Sequence, residues 1–187
     1  MAPIGSTRDF LLNAATSTHR IATLVTAAVL CAAYAVPCAQ PAFAADPLIG
    51  KPAPEFVRTD LHGRRIDLNR FRGKVVLLNF WATWCGPCQV ELPAFVQWQR
   101  DLAPRGFAVI GISMDDDAPP VRRLAAKLSL NYPVAMGDAK LGERYGGVLG
   151  LPLTYLIDRH GIVRARFQGD ADVKAIEAQL KELLGQR

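Results

Sequence analysis

The stretch that decides the fold is VVLLNFWATWCGPC, which runs from Val75 to Cys88. Its first seven residues, 75–81, are almost entirely apolar and rich in β-formers, a pattern that predicts a strand buried on both faces. From Cys85 onward the pattern is helical to about Ala103, with a kink expected at Pro93. The cysteine pair is therefore predicted to lie where a buried strand gives way to the N-terminus of a helix.

Further apolar runs and turn signals on either side of this stretch predict the rest of the domain. The predicted elements are a hairpin over Phe56–Asp67, a second buried strand over Phe107–Ser113, helices over Val121–Leu128 and Lys140–Tyr145, strands over Thr154–Asp158 and Ile162–Gln168, and a last helix over Ala171–Leu184 capped by Asp170. This order predicts an α/β domain from about residue 48 to residue 187. We expect a central mixed β-sheet flanked by helices, with an N-terminal β-hairpin extension.

The composition disfavours several classes of protein. The chain has 187 residues, of which 50% are hydrophobic and 21% charged, so it can form a packed core. Its net charge of +5 comes from interspersed groups without a Lys/Arg block, and we therefore expect no nucleic-acid binding. The run Asp115-Asp116-Asp117 could suggest a metal site, but we interpret it as a solvated loop or a helix N-terminus.

Residues 1–44 are predicted to be a secretory signal peptide. Basic groups at Arg8, His19 and Arg20 precede an uncharged run of sixteen residues, 21–36, and then the sequence Ala42-Phe43-Ala44. A basic region, an apolar region and an A-x-A cleavage site in this order are typical of signal peptides. The alternative is an uncleaved membrane anchor, although the run is shorter than the ~20 residues of a spanning helix.

Cleavage after residue 44 would remove two of the four cysteines, Cys31 and Cys38. The mature chain would then hold Cys85 and Cys88 in a compartment where disulfides persist. We therefore expect a periplasmic protein, with membrane anchoring as the alternative location.

The spacing of Cys85 and Cys88 favours thiol redox chemistry. A helix N-terminus presents free N–H groups and a partial positive charge, and both stabilise a thiolate. We expect the pKa of the Cys85 thiol to fall below its free value of about 8.5. Cys88, one turn further along, would be close enough to form a disulfide with Cys85 and to resolve a mixed disulfide.

A Cys-x-x-Cys pair can also be half of a zinc site or a purely structural disulfide. Neither a second such pair nor a suitably spaced histidine accompanies it, because the three histidines are scattered along the sequence. A disulfide that closes so short a loop removes little chain entropy, which disfavours a purely stabilising role. We predict a redox-active Cys85–Cys88 disulfide with no metal and no cofactor.

Residues 73–88, GKVVLLNFWATWCGPC, resemble the active-site segment of the thioredoxin-like TlpA/ResA/CcmG family. Gly50–Phe56 (GKPAPEF) is similar to the family's lead-in, and Gly150–Pro152 followed by Thr154–Asp158 is similar to its cis-proline loop and the next strand. The likeness covers residues 50–185. It implies a thioredoxin fold and extracytoplasmic thiol–disulfide exchange, often with a reducing role in cytochrome c or copper-site maturation.

Carried over to this chain, the resemblance implies that Cys85 is the attacking thiol and Cys88 the resolving thiol. Glu91 corresponds to a buried acidic residue behind the cysteines, a candidate proton acceptor for Cys88; the alternative is an exposed first-turn glutamate. Pro152 corresponds to the cis-proline that helps align a substrate, with an ordinary loop proline as the alternative. The predicted docking and support residues are Trp84, Gly86, Pro87 and Pro152, while Trp81 and Phe80 are expected in the core.

Two positions depart from related patterns. Asn79 stands where cytosolic thioredoxins carry a buried aspartate, so a proton route through that position is absent and Glu91 becomes the better candidate. Leu153 follows Pro152 where many relatives have threonine, which predicts a more apolar groove around the loop.

We interpret the chain as a protein-disulfide reductase that takes electrons from a membrane thiol donor. Its expected substrates are disulfide-bearing secreted proteins, including apocytochrome c or copper-assembly proteins. A thiol peroxidase is an alternative, although Thr83 and Pro87 do not match the usual peroxidase setting of the attacking cysteine. A non-catalytic copper chaperone is another alternative, since soft thiolates bind copper(I), but no further His or Met ligand is evident.

Overall fold

The computed structural model describes residues 46–170 and 172–186, so the predicted signal peptide, residues 1–44, lies outside the described residues. The strands are β1 (Val57–Thr59), β2 (Arg65–Asp67), β3 (Val75–Trp81), β4 (Phe107–Ser113), β5 (Val134–Met136), β6 (Leu153–Ile157) and β7 (Val163–Gln168). The α-helices are α1 (Gly86–Leu102), α2 (Ala118–Lys127), α3 (Ala139–Arg144) and α4 (Val173–Gly185).

Five of the strands form one mixed sheet in the order β5-β4-β3-β6-β7. The strands β3, β4 and β5 run parallel, while β6 pairs antiparallel with both β3 and β7. The strands β1 and β2 form a separate antiparallel hairpin that precedes the sheet in the chain. The predicted mixed sheet with an N-terminal hairpin is therefore confirmed.

The alternation of side chains along β3 divides the core into two halves. Leu77 and Trp81 pack on one face with residues from α1, α2 and α4. Leu78 and Phe80 pack on the other face with the hairpin and α3. Each fully buried side chain of this size contributes about 1.5–3 kcal/mol, so the central strand is held from both sides.

Two details of the predicted secondary structure are wrong. The short strand β5 was not predicted, because three residues carry too little periodic pattern to identify a strand. The last helix begins at Val173, and its cap is Asp172 rather than Asp170: the Asp172 carboxylate accepts a hydrogen bond from the Lys174 backbone N at 2.9 Å. The other predicted elements are present with their ends shifted by up to three residues.

Two turns of the domain share the pattern Asp-x-His-Gly, beginning at Asp60 and at Asp158. In each, the carboxylate Oδ1 accepts hydrogen bonds from the backbone N–H groups two and four residues later, at 2.8–2.9 Å. The glycines, Gly63 and Gly161, have φ values of 81° and 76°, which a residue with a Cβ adopts only with strain. The turns are thus fixed by a buried acceptor and a left-handed glycine.

None of the helices in the described part of the chain has the length and apolar character needed to cross a membrane.

Candidate active site

Cys85 is the N-cap of α1, four residues beyond the end of β3. Its Sγ accepts a hydrogen bond from the Cys88 backbone N at 3.2 Å, and the two sulfurs are joined in a disulfide of 2.02 Å. Pro87 lies in the first turn of the helix, where its missing N–H costs no hydrogen bond. The chain therefore places the predicted pair at a helix N-terminus, the setting that stabilises a thiolate.

The two sulfur-bearing residues are both buried, Cys85 at 5% and Cys88 at 1% exposure. Gly86 and Pro87 between them are exposed. The Trp84 side chain is 71% exposed, whereas Trp81 and Phe80 are fully buried. The pair thus lies at the boundary between the core and an exposed aromatic surface.

Glu91 lies one helical turn beyond Cys88 and is buried, at 4% exposure, so it is not an exposed first-turn residue. Within residues 46–170 and 172–186, no group donates a hydrogen bond to its Oε2. Burial, and secondarily the negative charge of Asp170, raise the pKa of Glu91 to about 7. Residues three apart share one face of a helix, so this carboxyl group can exchange a proton near neutral pH on the side of Cys88.

The Leu151–Pro152 peptide bond is cis, as the resemblance implies. Leu153 pairs with Phe80 across β6 and β3, so Pro152 lies level with the end of β3, next to the segment that leads to Cys85. The Pro152 carbonyl accepts a hydrogen bond from the Gly169 N at 2.8 Å. The loop before β6 is thus held beside the redox pair.

Asn79 is buried at 1% exposure and donates a hydrogen bond through Nδ2 to Thr154 Oγ1 at 2.9 Å. An amide does not titrate, so Asn79 can bridge β3 and β6 but cannot take a proton. Glu91, in contrast, is a buried group that can titrate, and its pKa is raised to about 7.

Asp115 is the site residue that sequence reasoning missed. It does not simply lie in a solvated loop, because its carboxylate accepts hydrogen bonds from the Thr83 N and from Ser113 Oγ at 2.9 and 2.8 Å. The sequence order could have predicted this contact. Asp115 follows β4 and Thr83 follows β3, and parallel strands end at the same edge of a sheet. Among the described residues, no cluster of three or more His, Cys, Asp or Glu side chains could hold a metal ion.

Residues 49–166 match the sequence profile of the AhpC/TSA family, which is more than half of the chain. The chain belongs to the AhpC/TSA family. Thiol-disulfide oxidoreductase ResA of Bacillus thuringiensis subsp. konkukian (strain 97-27) is 36% identical over 135 residues, covering 72% of this chain and 78% of that protein. Thioredoxin-like protein YneN of Bacillus subtilis (strain 168) is 34% identical over 134 residues, covering 70% and 78%.

A solved structure similar to this AhpC/TSA chain is that of a thiol:disulfide interchange protein of the thioredoxin family from Chlorobium tepidum TLS. It has a TM-score of 0.67 and 32% identity, and the match covers 72% of this chain and 96% of that one. The thioredoxin fold and the resemblance to ResA-type proteins are therefore confirmed. With its cysteine pair at disulfide distance, the chain is a thiol–disulfide oxidoreductase.

Proposed function

We propose that this AhpC/TSA-family enzyme works in the periplasm as a reductase of disulfides in exported proteins. Cys85 is the attacking thiol, Cys88 is the resolving thiol and a membrane thiol donor restores the dithiol. The signal-peptide pattern of residues 1–44 supports this location, and residues 48–187 are the working domain. Apocytochrome c and copper-assembly proteins are the proposed substrates, which the family resemblance supports.

The observation that carries the reducing direction is the buried Glu91 carboxyl group, whose Oε2 has no partner among the described residues. Burial and Asp170 raise its pKa, and neither influence supplies a positive charge that would also stabilise a thiolate at Cys88. Strong oxidants of this type owe their potential to a stabilised reduced form. A nearby carboxyl group gives a thiolate at Cys88 no such stabilisation, which supports a pair that gives up its electrons readily.

The proposed reaction transfers two electrons in two exchange steps. The Cys85 thiolate attacks one sulfur of the substrate disulfide, forming a mixed disulfide and releasing the first substrate thiolate. The Cys88 thiol passes its proton to the Glu91 carboxylate and attacks Cys85 Sγ, which releases the second substrate thiolate. The substrate disulfide is reduced, the Cys85–Cys88 disulfide forms, and Glu91 then loses its proton to solvent or to the departing thiolate.

The redox state of the pair in living cells tests the direction and the location together. Cells are quenched in acid, free thiols are labelled with a maleimide that adds mass, and the label is located on peptides containing Cys85 and Cys88. A reductase is expected to have mostly reduced cysteines, which a membrane-impermeant maleimide also reaches after gentle opening of the outer envelope. A fully oxidised pair at steady state would contradict the reducing direction, and labelling only after lysis would contradict the location.

Substrates are identified by trapping with Cys88→Ser, which cannot resolve the mixed disulfide on Cys85. Covalent adducts with exported proteins that disappear on reduction are expected. The matched control is Cys85→Ser, which lacks the proposed attacking thiol and should give few adducts. Equal trapping by both variants would contradict the assigned roles.

A further inference from the structure

Asp115 is bonded to the segment that leads from β3 to the cysteine pair. Its Oδ2 accepts hydrogen bonds from the backbone N of Thr83 and from Ser113 Oγ, at 2.9 and 2.8 Å, and its Oδ1 accepts one from Thr83 Oγ1. Ser113 is the last residue of β4 and is fully buried. The carboxylate therefore ties Thr83 to the end of a rigid strand.

Thr83 is also held from the side of α1. Its backbone carbonyl accepts a hydrogen bond from Gln89 Nε2 at 2.7 Å. The backbone N–H, the carbonyl and the hydroxyl of Thr83 thus all have fixed partners, two of them supplied by Asp115. We call Asp115, Thr83 and Gln89 the loop clamp.

The loop clamp acts on residues that the exchange reaction needs in place. Thr83 directly precedes the exposed Trp84 and lies two residues before Cys85. The Cys85 N donates a hydrogen bond to the Ala82 carbonyl at 3.2 Å, closing a turn around Thr83. Fixing Thr83 therefore fixes the direction in which the chain enters the helix and the position of the Cys85 sulfur at its N-terminus.

We propose that Asp115 is a positioning residue of the exchange reaction, which holds the Cys85 thiol at the helix N-terminus and presents Trp84 to the substrate. This inference rests on the proposed role of Cys85 as the attacking thiol. It does not depend on the reducing direction, the cellular location or the identity of the substrate. Backbone order near a reacting atom matters because misplacement by about 1 Å can slow a reaction strongly.

The charge of Asp115 and its hydrogen bonds have opposite expected effects on the reaction. A carboxylate near a developing thiolate disfavours it, so loss of the charge alone would not slow attack by Cys85. An asparagine can keep the geometry: its Oδ1 can accept from the Thr83 N and Ser113 Oγ, and its Nδ2 can donate to Thr83 Oγ1. Alanine removes both the charge and the hydrogen bonds, so the two variants separate the two effects.

The test uses the reduced full-length protein and follows alkylation of Cys85 by iodoacetamide at pH 7, measured by mass spectrometry on its peptide. The variants are Asp115→Ala, Asp115→Asn and Thr83→Val, and the matched control is Asp116→Ala at the exposed neighbouring carboxylate. We expect a roughly five-fold slower reaction for Asp115→Ala, about the effect of losing one ordinary hydrogen bond. Asp115→Asn should stay within about two-fold of the wild type, Asp116→Ala should match it, and Thr83→Val should lie between the wild type and Asp115→Ala.

An unchanged rate in folded Asp115→Ala would overturn the proposal, as would an equal loss in Asp115→Asn. If the alanine variant does not fold, an unchanged rate in Thr83→Val, which lacks only the hydroxyl, overturns it instead. Faster alkylation of Cys88 than of Cys85 in the wild type would contradict the assignment of the attacking thiol, and this inference would fall with it. If Cys85 is alkylated faster than Cys88 in the wild type, but Asp115→Ala reacts at the wild-type rate, the role of the loop clamp is overturned and the assignment of Cys85 as the attacking thiol stands.

Discussion

Two regions of the molecule bury carboxyl groups, and the pKa values of these groups shift in opposite directions in the two regions. At the Asp-x-His-Gly turns, burial acts to raise the pKa of Asp60 and Asp158, but it is outweighed. Hydrogen bonds from backbone N–H groups and from Arg64 or Arg164 leave these pKa values below their usual range. Beside the cysteine pair, no described residue donates a hydrogen bond to Glu91 Oε2, and burial raises the pKa of Glu91 to about 7.

The difference shows that partners, rather than burial, decide what a buried carboxyl group does. A carboxylate with all its hydrogen bonds made stays ionised and stabilises a turn. A carboxyl group buried without donors destabilises the folded protein when ionised, but it can take up and release a proton near pH 7. We therefore expect substitutions of the turn aspartates to lower stability. Substitution of Glu91 should instead raise stability, and it should also slow catalysis.

The largest expected effect is that of Asp60→Ala on stability. This change leaves the backbone N–H groups of His62 and Arg64 without their acceptor, which should lower the free energy of unfolding by about 3 kcal/mol. Urea unfolding at pH 7 measures this loss, and disulfide exchange per folded molecule should not change.

The control for the turn is Asp60→Asn, which keeps an acceptor oxygen for the two N–H groups. It weakens only the ion pair with Arg64, whose side chain is 68% exposed, and should cost about 1 kcal/mol at most. Equal losses in the two variants would show that the charge, rather than the backbone hydrogen bonds, stabilises the turn.

The next effect is a gain in stability from Glu91→Gln at high pH. The folded protein holds the Glu91 proton more tightly than the unfolded chain, so the contribution of Glu91 is most favourable below pH 4.5 and declines as the pH rises through about 7. Glutamine has no such decline. We expect the variant to be about 2 kcal/mol more stable at pH 8, somewhat less than the full shift implies because the amide is also buried.

Chemical unfolding of the oxidised protein from pH 4 to pH 8 measures this difference. The variant should be slightly less stable than the wild type at pH 4, where a buried amide replaces a protonated carboxyl group, and should become the more stable protein as the pH rises. Asp60 gives the reverse contrast, since the stability that its ionised form contributes is lost only as the pH falls below its usual pKa of 3.8. Parallel curves for wild type and Glu91→Gln would mean that Glu91 ionises normally in the folded protein.

The smallest expected effect is on the resolving step of exchange. In Glu91→Gln, which lacks the proton acceptor, Cys88 should attack the mixed disulfide about ten-fold more slowly at pH 7. This effect is smaller than that of most general bases, because a thiol ionises in part by itself. Stopped-flow measurement of the second thiol released by the reduced enzyme and an aromatic disulfide reports this step. Superimposable thiolate titrations of wild type and Glu91→Gln would remove Glu91 from the mechanism.

Strong local patterns made most of the fold predictable. The apolar run of β3 and the change to a helical pattern at Cys85 located the central strand and α1, because each pattern extends over several residues. The strand β5 and the cap of α4 were not found correctly. Three residues are too few to carry a period, and two aspartates two positions apart, Asp170 and Asp172, can each cap a helix.

The site was predictable to the extent that its chemistry is local in sequence. Cys85 and Cys88 follow from their spacing and position, whereas the residues alone left Glu91 either buried or exposed. Its burial became clear only once α1 was packed on the sheet. The contact of Asp115 with Thr83 joins residues 32 apart through the ends of two parallel strands, which a scan for local motifs does not reveal.

The reduction potential of the Cys85–Cys88 couple tests the proposed reductase most directly. It is measured by equilibrating the protein with defined ratios of reduced and oxidised dithiothreitol or glutathione at pH 7 and counting free thiols. Related pairs span roughly −270 to −120 mV, and a pair with the buried Glu91 carboxyl group behind it should lie near −270 mV or below. A potential near −120 mV would identify a dithiol stabilised in its reduced form and would contradict a reducing role.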